Sequence, residues 1–217
     1  MPQPARKPRS GNILRGFHLL LQGNPGGIEQ FGDSTAAFGA SLAPLTAFAL
    51  CTALIFTAQD EIAQGLLLGL LLMSCILVSP VVIEGVARKL QREAYWLVTS
   101  TALNWSVWLV VPLFLAATLT EALLALVGLP PPIAAASAVG MIVGFLLYVQ
   151  WFILKAGLRI AGISAALVLL MMQSMPALIT TATISVDPAL RQRVIQNLQA
   201  DQSGAPTSSA ARRAMAR

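Results

Sequence analysis

Glu84 and Arg88 stand four positions apart at the end of a long apolar run, and Asn104, Gln150 and Gln173 interrupt three further apolar runs. A carboxylate one helical turn from a guanidinium forms an ion pair on a single helix face. At a membrane boundary such a pair anchors a helix end; set deeper, the same carboxylate could carry a proton or a cation. Carboxamides inside apolar helices hydrogen-bond from helix to helix, or they line a polar path. Glu84, Asn104, Gln150 and Gln173 are therefore the candidate intramembrane polar site, read first as an anchor with bundle cohesion and alternatively as a path for a solute.

Other chemistry finds little to work with. His18 is the single histidine and belongs to the N-terminal segment, so no histidine cluster can hold a metal and none serves a nucleophile at membrane depth. Cys51 and Cys75 fall in different apolar runs and read as small packing residues. Neither a Gly-x-x-x-x-Gly-Lys-Ser/Thr loop nor a Gly-x-Gly-x-x-Gly turn is present. No catalytic, cofactor-binding or metal residue is assigned. The expectation is a protein that is not an enzyme, with no cofactor and no nucleic-acid partner.

The elements that must position these residues follow from composition. Of 217 residues, 56% are hydrophobic and 11% charged, and the mean hydropathy is +0.74. Soluble domains carry about 25% charged residues, so a water-soluble globule is excluded. A helix needs roughly 20 apolar residues to cross a bilayer, and the chain offers about five such stretches, near 41–58, 62–87, 94–119, 133–154 and 157–182. None alternates with the period of a membrane β-strand. The fold class expected is an all-α integral membrane bundle of about five helices, with residues 1–40 as a cytoplasmic N-terminal segment, 41–182 as the bundle and 183–217 as a short helix and disordered basic tail.

Within the N-terminal segment, Ile13, Leu14, Phe17, Leu20 and Leu21 recur at helical spacing against Arg15, His18 and Gln22, which predicts an amphipathic helix on the membrane surface. The cluster Gly23-Asn24-Pro25-Gly26-Gly27 ends it, and Asp33 or Ser34 is placed to cap the next helix. The third apolar run is read as one span and then a separate short interfacial helix from Glu121 to Gly128, stopped by Pro130, Pro131 and Pro132. At the C-terminal end, Asp187-Pro188 reads as a helix start and Leu190, Val194, Ile195 and Leu198 as an apolar stripe.

Orientation follows from basic residues near the span ends. Arg6, Lys7, Arg9 and Arg15, then Arg88, Lys89 and Arg92, then Lys155 and Arg159 fall on one side; Asp60, Glu61 and Glu121 fall on the other. This places the N-terminus in the cytoplasm. With five spans the tail, carrying Arg191, Arg193, Arg212, Arg213 and Arg217, lies outside. If the last run instead turns back between Gln173 and Pro176, the tail lies inside. Anionic lipid head groups at the basic face are the expected partner, together with other membrane proteins or a second copy of the chain. Gly65-x-x-x-Gly69 and Gly140-x-x-x-Gly144 permit close helix approach.

The layout of five spans with a cytoplasmic amphipathic segment and short loops resembles the Yip family of small multispan proteins, particularly its bacterial members. The stretch from Ile13 through Asn24-Pro25-Gly26-Gly27 into Phe38-Gly39-Ala40-Ser41-Leu42 also resembles a group of uncharacterised proteobacterial inner-membrane proteins. The Asp-Leu-Tyr-Gly-Pro element of some eukaryotic Yip proteins is absent, and only Pro44 stands at a comparable place, so the resemblance carries over no functional residue. It implies a bacterial inner-membrane protein that organises membrane or protein partners. The alternative is a small transporter or channel subunit.

Overall fold

A computed structural model describes residues 11–58 and 62–186. Asp60, Glu61, Arg6, Lys7 and Arg9 lie outside the described residues, as do the Asp187-Pro188 helix start, the apolar stripe after it and the basic tail. Among the described residues there are seven α-helices and no strand. Contacts divide the chain into a unit ending at Ser174 and a second beginning at Met175.

The first helix, α1 (Ile13–Leu21), starts where the Asn12 side chain accepts a hydrogen bond from the Arg15 amide at 3.1 Å. It stops at Gly23, whose φ of 72° favours a residue without a Cβ. Asn24 then accepts from the Gly26 amide at 2.9 Å and opens a 3-10 segment, Pro25–Phe31, that folds back along α1. The two pieces touch through glycine. A Cβ on Gly16 would lie 2.7 Å from the Phe31 ring, and one on Gly27 would lie 2.7 Å from the Gly16 carbonyl oxygen. The rings of Phe17 and Phe31 meet edge to face at 5.1 Å. Leu20, Ile28 and Phe31 are buried, whereas Leu14 is 81% exposed. The amphipathic helix is thus one arm of a helical hairpin, and the hairpin packs on the bundle rather than lying free.

Ser34 caps α2 (Thr35–Thr57) by accepting from the Ala37 amide at 3.1 Å. The first long helix therefore begins six residues before the boundary expected from hydropathy. Opposite it runs α3 (Ile62–Lys89). Gly65 and Gly69 bring α3 close to α2: a Cβ on Gly65 would come within 2.7 Å of the Ala53 carbonyl oxygen, and one on Gly69 within 2.8 Å of the Ala53 side chain. The first small-residue pair is consumed inside the chain.

The third apolar run divides. After a 3-10 turn at Glu93–Tyr95 come α4 (Trp96–Ser106), one further 3-10 turn at Val107–Leu109, and α5 (Val110–Leu126). Pro112 accounts for the break. It offers no amide to the carbonyl four residues back, and its ring crowds that carbonyl. The whole run from Glu93 to Leu126 has 34 residues, about 50 Å at 1.5 Å per residue, well beyond a hydrocarbon core of about 30 Å. The excess is α4. Trp96 stacks edge to face on Phe38 at 5.7 Å, and Asn104 bonds Ser41 at 3.0 Å. Those α4 residues are about 12 Å apart along their helix, but their α2 partners are only about 4.5 Å apart. So α4 crosses the start of α2 instead of running beside it. The expected span 94–119 and separate helix from Glu121 are corrected accordingly. α5 continues through Glu121 to Leu126, because Thr120 returns its hydroxyl to the Ala116 carbonyl and leaves no polar break.

Gly128, at φ 87°, turns α5 into α6 (Pro131–Gly157), and α7 (Gly162–Val186) follows. α7 is one helix through Pro176, not a segment that turns back there. In the second unit, Thr180 donates its hydroxyl to the Pro176 carbonyl at 2.8 Å. Five helical runs in all are long and apolar enough to cross a membrane. Large apolar side chains cover the outside, among them Phe48, Leu54, Leu66, Leu70, Val111, Phe114, Leu119 and Leu167, as lipid requires. The chain is an all-α membrane bundle.

The turns after α3 and α6 share a device. Gln91 (φ 55°) and Arg159 (φ 53°) take the left-handed conformation that usually belongs to glycine at a helix end. The closing bonds run from the Arg92 amide to the Ala87 carbonyl at 2.7 Å and from the Ile160 amide to the Lys155 carbonyl at 3.2 Å. A Cβ in that conformation costs about 1–2 kcal/mol. The Arg159 guanidinium lies 4.7 Å from the centre of the Tyr95 ring, which brings both turns to one end of the bundle. Arg88, Lys89, Arg92, Lys155 and Arg159 are all carried by these two turns.

Candidate functional site

Polar side chains inside the bundle concentrate on α4. Thr99, Ser100, Thr101, Asn104 and Ser106 are all buried, and Ser41 of α2 joins them with no exposure. In lipid a buried polar group must find its partner within the protein. Most here do so locally. Thr99 donates to the Tyr95 carbonyl, Thr101 to the Leu97 carbonyl and Ser106 to the Leu103 carbonyl, each at 2.7 Å. A long-range link is a relay: the Asn104 amide donates to Ser41 Oγ at 3.0 Å, and that hydroxyl donates to the Phe38 carbonyl at 2.7 Å. Against the opposite side of α4 lies Gly157, where a Cβ would collide with the Thr99 side chain. A small residue at the end of α6 thus lets the polar helix seat closely.

Among the described residues, two buried polar side-chain atoms have no hydrogen-bond partner, Ser100 Oγ and Gln150 Oε1. Both belong to helices in contact, α4 and α6. Gln150 itself is half-buried.

The four residues singled out from sequence do not form one set. Asn104 sits in the α4 core. Glu84 faces outward, its carboxylate taking the Arg88 guanidinium at 2.6 Å, with the two side chains 41% and 69% exposed. Gln173 is exposed on α7. No hydrogen bond connects any two of the four among the described residues. Sequence reasoning found Asn104 but missed Ser41, Thr99, Ser100, Thr101 and Ser106. The signal was present as a hydroxyl-rich stretch, Thr99-Ser100-Thr101 followed by Asn104 and Ser106, inside a run read as one uniform span.

A cavity of about 230 Å³ opens at the seam between the N-terminal hairpin, the start of α2 and α4, lined among others by Gln30, Phe31, Asp33, Ser34, Ala37 and Trp105. None of the four candidate residues lines it. No group of three or more His, Cys, Asp or Glu side chains placed to hold a metal occurs among the described residues. Chemically, the enclosed groups on α4 and α2 are hydroxyls and the Asn104 carboxamide, which can hydrogen-bond from helix to helix.

Comparison of the chain with protein-family profiles, with curated proteins and with solved structures finds no match.

Proposed function

We propose that the chain is a non-enzymatic integral membrane protein that organises lipid or protein partners at one face of the bilayer, in the manner its Yip-like layout implies. In this reading the bundle sits in a bacterial inner membrane, with the N-terminal hairpin and the basic turns toward the cytoplasm. One observation carries it: Asn104 closes on Ser41 at the crossing of α2 and α4, Thr99, Thr101 and Ser106 bond carbonyls of their own helical run, and Glu84 and Gln173 stand on outward faces. A transporter would need those groups to converge on a path through the bundle. Further support comes from the basic end, where the hairpin packs against α4 and α6 and cations lie over aromatic rings.

Proteoliposomes carrying pH-sensitive and potential-sensitive dyes test the reading. Purified protein should pass protons and monovalent cations no faster than empty vesicles. A flux that appears with the wild type and disappears in Glu84→Gln would overturn it and establish the transporter.

A further inference from the structure

The turn between α6 and α7 holds two cations in an unusual way. Lys155 lies 5.2 Å from the centre of the Trp151 ring, and Arg159 lies 4.7 Å from the centre of the Tyr95 ring. Both side chains belong to exposed residues, and neither has a carboxylate within ion-pair distance among the described residues. Trp151 is itself fixed, its indole N–H donating to the Gly162 carbonyl at 2.8 Å. One helical turn deeper, Tyr148 is 49% exposed and packs on Trp151 with ring centres 6.1 Å apart. Arg159 also keeps a left-handed backbone that glycine would adopt without strain. The backbone therefore disfavours arginine there, and what its side chain supplies is a guanidinium held at a set position.

We propose that this turn is a headgroup site for an anionic phospholipid, with Lys155 and Arg159 on the phosphate and Tyr148 and Trp151 at the level of the glycerol. Aromatic side chains settle at that level of a bilayer, and basic residues at the cytoplasmic boundary attract anionic lipid. The start of α7 beside Trp151 adds the partial positive charge of a helix N-terminus to the same field. Exposed Ile163 and Leu167, one turn apart on α7, offer apolar surface to an acyl chain. The site rests on the reading of the basic end as a membrane-organising surface and narrows it to one turn.

The test uses the full chain in neutral detergent, titrated with phosphatidylglycerol or phosphatidylcholine, with bound lipid counted by native mass spectrometry. The wild type should retain phosphatidylglycerol in preference to phosphatidylcholine. In Lys155→Gln/Arg159→Gln the binding of phosphatidylglycerol should weaken on the order of thirtyfold, with phosphatidylcholine unchanged. Arg159→Gly relaxes the backbone while giving up the contact with the Tyr95 ring, so the fold should be kept, as circular dichroism would check, and binding should weaken on the order of fivefold. Arg88→Gln/Lys89→Gln, in the neighbouring turn, should lose much less. Undiminished binding in the first two variants, or an equal loss in both doubles, would overturn this site and leave the basic end as a diffuse surface. A wild type that holds both lipids equally would overturn the broader reading as well.

Discussion

α4 and α5 follow one another with a single 3-10 turn between them, yet they have opposite surroundings. From Thr99 to Asn104 every residue of α4 is buried, whereas α5 exposes Val111, Phe114, Leu115, Leu119 and Leu123. The difference lies in what each would present to lipid. α4 carries hydroxyls and a carboxamide, which cost free energy in hydrocarbon and gain by finding partners inside the protein. α5 carries aliphatic and aromatic side chains that lipid solvates as well as protein would. One apolar run by hydropathy thus yields two elements, a polar helix enclosed by the protein and an apolar helix with its side chains left outside.

The contrast can be broken most severely at Gly157. Gly157→Leu pushes a side chain into Thr99 and should destabilise the bundle by about 3 kcal/mol, a large overpacking effect, read as a lowered midpoint in detergent-induced unfolding. The same substitution at Gly140, where a Cβ meets nothing within 4 Å, should leave the midpoint unchanged within about 0.5 kcal/mol.

Asn104→Leu comes next. It removes the link to Ser41 and should cost about 1–2 kcal/mol, with Ser41→Ala costing a similar amount and the double variant less than the sum. On α5, Leu119→Ala should cost less than about 0.5 kcal/mol, because lipid fills the space. A loss at Leu119 equal to that at Asn104 would show that α5 is buried against an unrecognised partner.

The smallest effect belongs to Glu84→Gln. Its pair with Arg88 is exposed, and exposed pairs contribute about 0–1 kcal/mol. Insertion, membrane level and cell phenotype should match wild type. A variant that folds normally but loses the wild-type phenotype would favour the transporter.

How far the sequence carried depended on what kind of signal each element left. Hydropathy alone located the helices, because the bilayer demands length and apolarity of each one separately. Ser34 and the glycines after α1 marked the ends of their elements for equally local reasons. The division at Val107–Leu109 was also written locally, in Pro112, but the run is so apolar on average that it reads as one span. Ser41 left no signal at all. A serine in an apolar helix usually bonds its own backbone, and only the crossing of α4 over α2 makes it the acceptor for Asn104. The pairing of Glu84 with Arg88 was legible in their four-residue spacing, whereas the exposure of Gln173 depends on which face of α7 the bundle leaves outside.

Photolabelling from the lipid phase measures the contrast most directly. A diazirine carried on an acyl chain, activated in vesicles containing the wild-type protein, should label peptides from α5 densely along its length. The peptide containing Thr99 to Ser106 should remain nearly unlabelled. Labelling of both peptides to the same density would contradict the enclosure of α4 and return the run from Glu93 to Leu126 to a single lipid-exposed span.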